Sequence, residues 1–464
     1  MSNNSSSREQ FASRAGFILM TAGCAIGLGN VWRFSYISGQ YGGGFFVLLY
    51  LIFLLLLGTP VMLMELALGR AGQSTFPGAF RRLKNPDCRY AWEKPVYIFF
   101  SGNLILLMFY SVITGWLLHY GWLFCKDTFR NATPETCKNV FAAMLDAPAT
   151  QIFWMLAALL ITLAICIGGV RKSIERAIKF MMGGLFLLLI ILVIQSLNLP
   201  DSGKGLEFFL KPDWKKFAGN GIFATVHAAM AQAFFTLSLG VGSIAVCGSY
   251  TSKESSLLTE GCWIVLLDTI VAIASGLIIF PACAAFGIQP DAGPSLIFIT
   301  LPNVFHNMAG GIFWGILFFI FLAIAALSTL VAVFENLAAF GMDQWSWSRK
   351  KSCLIFAALL AVLSLPCILG FNLWKNIQPL GNGSTILDLE DFIISDNLLP
   401  LGALYTAIFC MNRYGWGKEN AFAEINTGKG LKFPLKTACY LTYILPLIIF
   451  AIWLLGLGKR FNWF

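Results

Sequence analysis

Two apolar stretches carry residue types that can hold ions and zwitterions without a catalytic group. The first, Ala22-Gly-Cys-Ala-Ile-Gly-Leu-Gly-Asn30, places three glycines within seven residues and ends on Asn30, with Arg33 close behind. The second, Gln232-Ala-Phe-Phe-Thr-Leu-Ser-Leu-Gly-Val-Gly242, mixes hydroxyls with glycines. Backbone that leaves a helix there exposes N–H groups suited to a carboxylate and carbonyls suited to a hard cation. Small residues also let helices pack closely, so either stretch alone supports both readings. Asp268 lies in a third apolar run. An acid there is either hydrogen-bonded or interfacial, or it belongs to a functional site. No metal-ligand cluster, nucleophile arrangement or phosphate loop accompanies these residues. Gly27-Leu-Gly29 follows no strand and so forms no dinucleotide fingerprint.

The composition defines the elements that must position these groups. Of 464 residues, 58% are hydrophobic and 12% charged, whereas a soluble domain is about 25% charged. That excludes an ordinary soluble enzyme, a disordered chain and a nucleic-acid binder. The formal charge of +9 comes from short Lys and Arg clusters between apolar blocks. The chain reads as an all-α, polytopic membrane protein in contact with the lipid bilayer. A span needs about 20 apolar residues, and eleven are expected, near 14–38, 41–68, 95–124, 150–169, 177–199, 221–248, 257–287, 309–340, 352–374, 392–412 and 433–457. With the N-terminus inside, 21 Lys and Arg fall in cytoplasmic segments and 10 outside. This is the positive-inside pattern. It places the protein in the plasma (inner) membrane, with the N-terminus cytoplasmic and the C-terminus outside. No small-residue cleavage site follows the first apolar stretch, so no removable signal peptide is expected. Cys125 and Cys137 share an outer loop, as a disulfide or as two free thiols. The sequons at Asn131 and Asn382 are taken as accidental.

The two glycine-rich breaks occupy spans one and six. These positions correspond if residues 11–199 and 220–412 form two five-span repeats within a single 1–464 domain, the helix at 433–457 being additional. Five is odd, so the second repeat inserts upside down relative to the first. Paired interruptions in inverted halves point to a transport site at the midplane.

The chain resembles the neurotransmitter:sodium symporter family, in particular its bacterial amino-acid transporters. The motifs are GLGNVWRF at 27–34, GGGFF at 42–46, MELALGR at 64–70, QAFFTLSLG at 232–240 and DLEDF at 388–392. The resemblance implies a LeuT-like 5+5 inverted-repeat fold with discontinuous helices one and six. It also implies two Na⁺ sites. The first takes Ala25, Asn30, Thr236 and Asp268, where LeuT-like chains have Asn. The second takes Gly23, Ile26, Ala325, Ser328 and Thr329. Ser and Thr in a membrane helix often bond only to the preceding turn; the AALST match at 325–329 favours the site. Chloride-dependent relatives bind Cl⁻ where Asp268 supplies a negative charge, so chloride is not expected to be required.

For the substrate, the family pattern assigns the amides of Leu28 and Gly29 and the hydroxyl of Tyr110 to a carboxylate, and main-chain oxygens of Ala25, Phe235 and Thr236 to an ammonium. The side-chain pocket takes Cys24, Leu106, Phe235, Ser238, Val241, Thr329 and Val333. It carries no charge, which suits a neutral, apolar side chain. Val241 stands where a Phe is common and makes room for bulk. The outer gate is Arg33 with Asp391, beside Phe235 and Gln232. The inner gate is Arg8 with Asp343, beside Ser249 and Tyr250; Arg8 is otherwise a topology charge. Glu65 braces the unwound segments. Glu335, His227 and His119 receive no role. The expectation is a Na⁺-coupled symporter for a neutral amino acid, not an enzyme, acting by alternating access as a monomer or weak dimer. The alternatives are a Na⁺-independent or proton-coupled exchanger on the same fold and a non-transporting amino-acid sensor.

Overall fold

The structure, a computed structural model, describes residues 10–130, 132–219, 221–287, 295–306, 308–381 and 383–460. Arg8, Asn131 and Asn382 lie outside the described residues. Within them the secondary structure is helical, with a single isolated bridge between Ser255 and Lys429.

Among the described residues nine helices are long and apolar enough to cross a bilayer: Gly44–Gly72, Glu93–Cys125, Pro148–Ile167, Val170–Leu197, Leu257–Ala285, Gly311–Trp345, Arg349–Leu369, Ile386–Met411 and Leu435–Gly458. They coincide with nine of the eleven expected spans. The first span forms two pieces, Arg14–Ala25 and Gly29–Gln40, bent by 52°. The sixth is Ile222–Thr236 followed by Ser243–Ser249. Neither piece of the sixth alone reaches the length of a bilayer crossing. By length and composition the count among the described residues is therefore up to ten, with the bent pair taken as one.

Glu93–Cys125 and Gly311–Trp345, the third and eighth spans, lie along one another, and the eighth packs beside the first. The C-terminal half of span two, Thr59–Gly72, packs on Ser243–Ser249. Span ten begins with a capping box: the Thr385 hydroxyl accepts from the Asp388 N–H, and Asp388 accepts from the Thr385 N–H. This satisfies helix-end donors that have no partner within the helix. Short helices at Phe76–Leu83, Pro134–Leu145, Ser202–Leu210 and Lys418–Ile425 cap the ends of the bundle. They are too short and too polar to register as spans. Cys125 and Cys137 are both free, the first exposed and the second buried.

Candidate functional site

The N-terminal half of span one, Arg14–Ala25, ends at Ala25, and Ile26 is extended at ψ 102°. Winding resumes in a wide turn, Gly29–Arg33. The second break spans Leu237 to Gly242, with Ser238, Gly240 and Gly242 at φ of 51°, 86° and 82°. Ser238 is held in this unusual conformation by donating to the Cys24 carbonyl, 3.0 Å away. Glu65 on span two accepts from the Gly240 N–H at 2.6 Å. Asn103 on span three donates to the Val241 carbonyl at 2.7 Å and accepts from the Ser243 hydroxyl at 2.6 Å. Each unwound segment thus satisfies backbone groups through neighbouring side chains, as a water-free surrounding requires.

Three of the residues assigned to the first cation set meet at one point. The Asn30 amide nitrogen donates to Thr236 Oγ1 and to Asp268 Oδ1, both at 2.8 Å. Thr236 Oγ1 lies 3.1 Å from both Asp268 carboxylate oxygens. Tyr50 on span two donates to Asp268 Oδ2 at 3.3 Å. All four side chains are fully buried. Asn30 Oδ1 meanwhile accepts from the Gly27 N–H at 3.0 Å, so the amide turns its nitrogen to the carboxylate. The oxygens of Asp268 and Thr236 form a hard-donor cluster of the kind that suits a cation bound through oxygen.

The five residues of the second set also converge. Thr329 Oγ1 is 3.1 Å from the carbonyls of both Gly23 and Ile26. Ser328 Oγ is 2.9 Å from the Ala325 carbonyl and 3.4 Å from that of Ile26. Two hydroxyls and three carbonyls, all buried, lie where the break in span one meets span eight.

Between the two sets lies a small cavity lined by Ala25, Gly27, Leu106, Tyr110, Phe235, Ser238, Thr329 and Leu399. The Leu28 N–H donates to the Tyr110 hydroxyl at 3.0 Å. A Cβ at Gly27 would stand 2.3 Å from Thr329 Oγ1 and 2.4 Å from the Tyr110 oxygen, so only glycine lets the broken strand reach both. No charged residue lines this cavity. Cys24, Val241 and Val333 do not line it; Val241 is buried against Gly102 instead.

Phe235 stands between this cavity and a second chamber lined by Trp32, Tyr36, Phe109 and Asp391. Arg33 stands 4.8 Å over the Phe235 ring, donates to Gln232 at 2.9 Å and lies 3.8 Å from Asp391. Gln232 donates in turn to the Gly29 carbonyl at 2.8 Å. At the other end of the bundle Asp343 accepts from the Thr75 N–H at 2.7 Å and from the Ser74 hydroxyl. The Ser249 hydroxyl donates to the Val246 carbonyl. Tyr250 donates to Glu335 at 2.8 Å, and Arg349 clamps that carboxylate at 2.7 and 3.0 Å. Ala12 N–H and Ser13 Oγ donate to Glu175, anchoring span one to span five.

Tyr50, Asn103, Glu335, Arg349 and Leu399 are the participants that sequence reasoning missed. Tyr50, Asn103 and Glu335 are polar groups inside apolar runs, a signal that was present. Leu399 carried none.

The family model described as "Sodium:neurotransmitter symporter family" matches residues 8–144 and 140–460. An "Uncharacterized sodium-dependent transporter" of Haemophilus influenzae is 33% identical over 466 residues, covering 98% of this chain and 100% of the relative. The "Uncharacterized sodium-dependent transporter YhdH" of Bacillus subtilis is 33% identical over 451 residues, covering 97% and 98%. The crystal structure of MhsT in complex with L-phenylalanine superposes with a TM-score of 0.88 at 38% identity, covering 97% of this chain and 100% of that one.

Proposed function

The chain belongs to the sodium:neurotransmitter symporter family of sodium-dependent membrane transporters, and from that premise we propose that it imports a neutral, apolar amino acid together with two Na⁺ ions by alternating access. The observation that carries this reading is the uncharged cavity at the break in span one, where the Leu28 amide and the Tyr110 hydroxyl meet. A backbone N–H and a hydroxyl that now pair with each other can both turn to a carboxylate; the apolar remainder suits an uncharged side chain. The L-phenylalanine bound by the similar MhsT supports the same substrate class.

Two oxygen-rich clusters flank the cavity, which supports two cations per substrate. At about 100 mV and a tenfold Na⁺ gradient, two ions supply about 7.4 kcal/mol, on the order of 10⁵-fold accumulation of a zwitterion. Asp268 supplies the negative charge of the first cluster, which makes chloride unnecessary. The Lys- and Arg-rich side faces the cytoplasm of the plasma (inner) membrane.

The test is Na⁺-dependent binding of labelled leucine to the purified protein, displaced in turn by the twenty amino acids, followed by uptake into proteoliposomes. Displacement by apolar amino acids in Na⁺, and its loss in choline, is expected. Uptake that persists in choline would replace the symporter with an exchanger or proton-coupled carrier. Binding without counterflow would make the protein a sensor.

A further inference from the structure

Span ten, Ile386–Met411, was expected to contribute only its gate acid, Asp391. It also brings Leu399, which is 1% exposed, to the wall of the substrate cavity beside Leu106 and Ser238. Two features hold it there.

The first is a change of helical register. In a regular α-helix, residues eight apart point about 80° away from each other. Between Asp391 and Leu399 the winding is wide, over Phe392–Leu398, and the Leu399 N–H donates to the Ile394 carbonyl five residues back. One extra residue in the turn brings position 399 to within about 20° of the Asp391 face. The outer gate and the cavity wall are thereby set on one side of one helix.

The second is direct backbone contact with the second break. A Cβ at Gly240 would stand 2.2 Å from the Leu399 carbonyl, and one at Gly402 would stand 2.0 Å from the Gly240 carbonyl. With no side chain between them, span ten and the unwound segment are held at a fixed separation. A change of side chain at position 399 therefore changes the cavity, not the helix position. Val241 points elsewhere: a Cβ at Gly102 would lie 2.8 Å from Val241 Cγ1 and 3.3 Å from Ile394 Cδ1.

Resting on the amino-acid reading above, we propose that Leu399 is a specificity-determining residue, its side chain setting the largest apolar side chain the cavity accepts. The test uses the full chain and Na⁺-dependent binding of tritiated leucine, displaced by alanine, valine, phenylalanine and tryptophan. Leu399→Ala shifts the ratio of tryptophan to alanine affinity toward tryptophan by roughly tenfold, the scale expected for added space in an apolar pocket. Leu399→Phe shifts it the other way. Leu399→Val, one methylene smaller, provides the reading if the alanine variant does not fold, its ratio standing between wild type and the alanine variant. Ile408→Ala, on an exposed face of the same helix, leaves the ratio unchanged. An equal loss for every competitor, or an unchanged ratio in binding-competent Ala and Phe variants, overturns the assignment. Wild-type protein that binds none of these amino acids overturns the functional reading itself, and this inference with it.

Discussion

The Asn30 amide nitrogen donates to the Asp268 carboxylate at 2.8 Å, tying the broken first span to the seventh through two fully buried side chains. The same amide gives its oxygen to the Gly27 N–H. Turning this amide would break both bonds and free the N–H of Gly27, a residue that lines the cavity. The Asn30 side chain thus links Asp268 to the backbone of the unwound segment through a single rotatable group.

Asp268→Ala removes the acceptor shared by Asn30, Thr236 and Tyr50. Na⁺-dependent amino-acid binding is expected to be lost, measured by scintillation proximity across a Na⁺ titration. Unchanged Na⁺ affinity would remove Asp268 from the first site. Replacing chloride by gluconate leaves the unaltered protein active, and Asp268→Asn makes binding chloride-stimulated.

Tyr110→Phe keeps the ring and removes the hydroxyl that meets the Leu28 N–H. A hydrogen bond to a charged group contributes about 1.5–3 kcal/mol. Affinity for the amino acid is therefore expected to fall at least about tenfold, with Na⁺-dependent thermal stabilisation retained. Affinity equal to wild type would place the carboxylate elsewhere.

Arg349→Ala leaves Glu335 buried without its bidentate partner. Removing one member of a buried pair costs about 3–5 kcal/mol, read as a lower melting temperature in detergent. The double variant Glu335→Gln, Arg349→Gln recovers most of that loss, because no uncompensated charge remains. Equal melting of the single and double variants would contradict this account.

Cys137 lies in the helix Pro134–Leu145, outside the spans, and burial pushes its thiol up to about 11. Alkylation requires the thiolate, so the raised value keeps Cys137 unreactive near neutral pH. Its labelling rises as pH approaches about 11, while exposed Cys125 labels first. Mass spectrometry of the labelled peptides distinguishes the two, and a linked 125–137 peptide would show a disulfide instead.

Much of the architecture was legible because a bilayer imposes a simple rule on a chain. Each crossing needs a long apolar run, and any break in it must be filled by protein. Nine spans, and the glycine-rich interruptions at 22–30 and 232–242, could be read from composition alone, and the resemblance in five motifs supplied the partners of each break. The sixth span escaped a length rule because its two halves are 15 and 7 residues long.

What the amino-acid order determined by itself is local: where helices run and where they must fail. Tertiary structure alone decided which distant groups meet. Tyr50 reaches Asp268 across 218 positions and Tyr250 reaches Glu335 across 85; no local periodicity encodes either contact. Leu399 faces the cavity only because a wide turn after Asp391 shifts the helical register. An ordinary leucine in an apolar run gives no sign of that, since its direction depends on winding that packing against Gly240 accommodates.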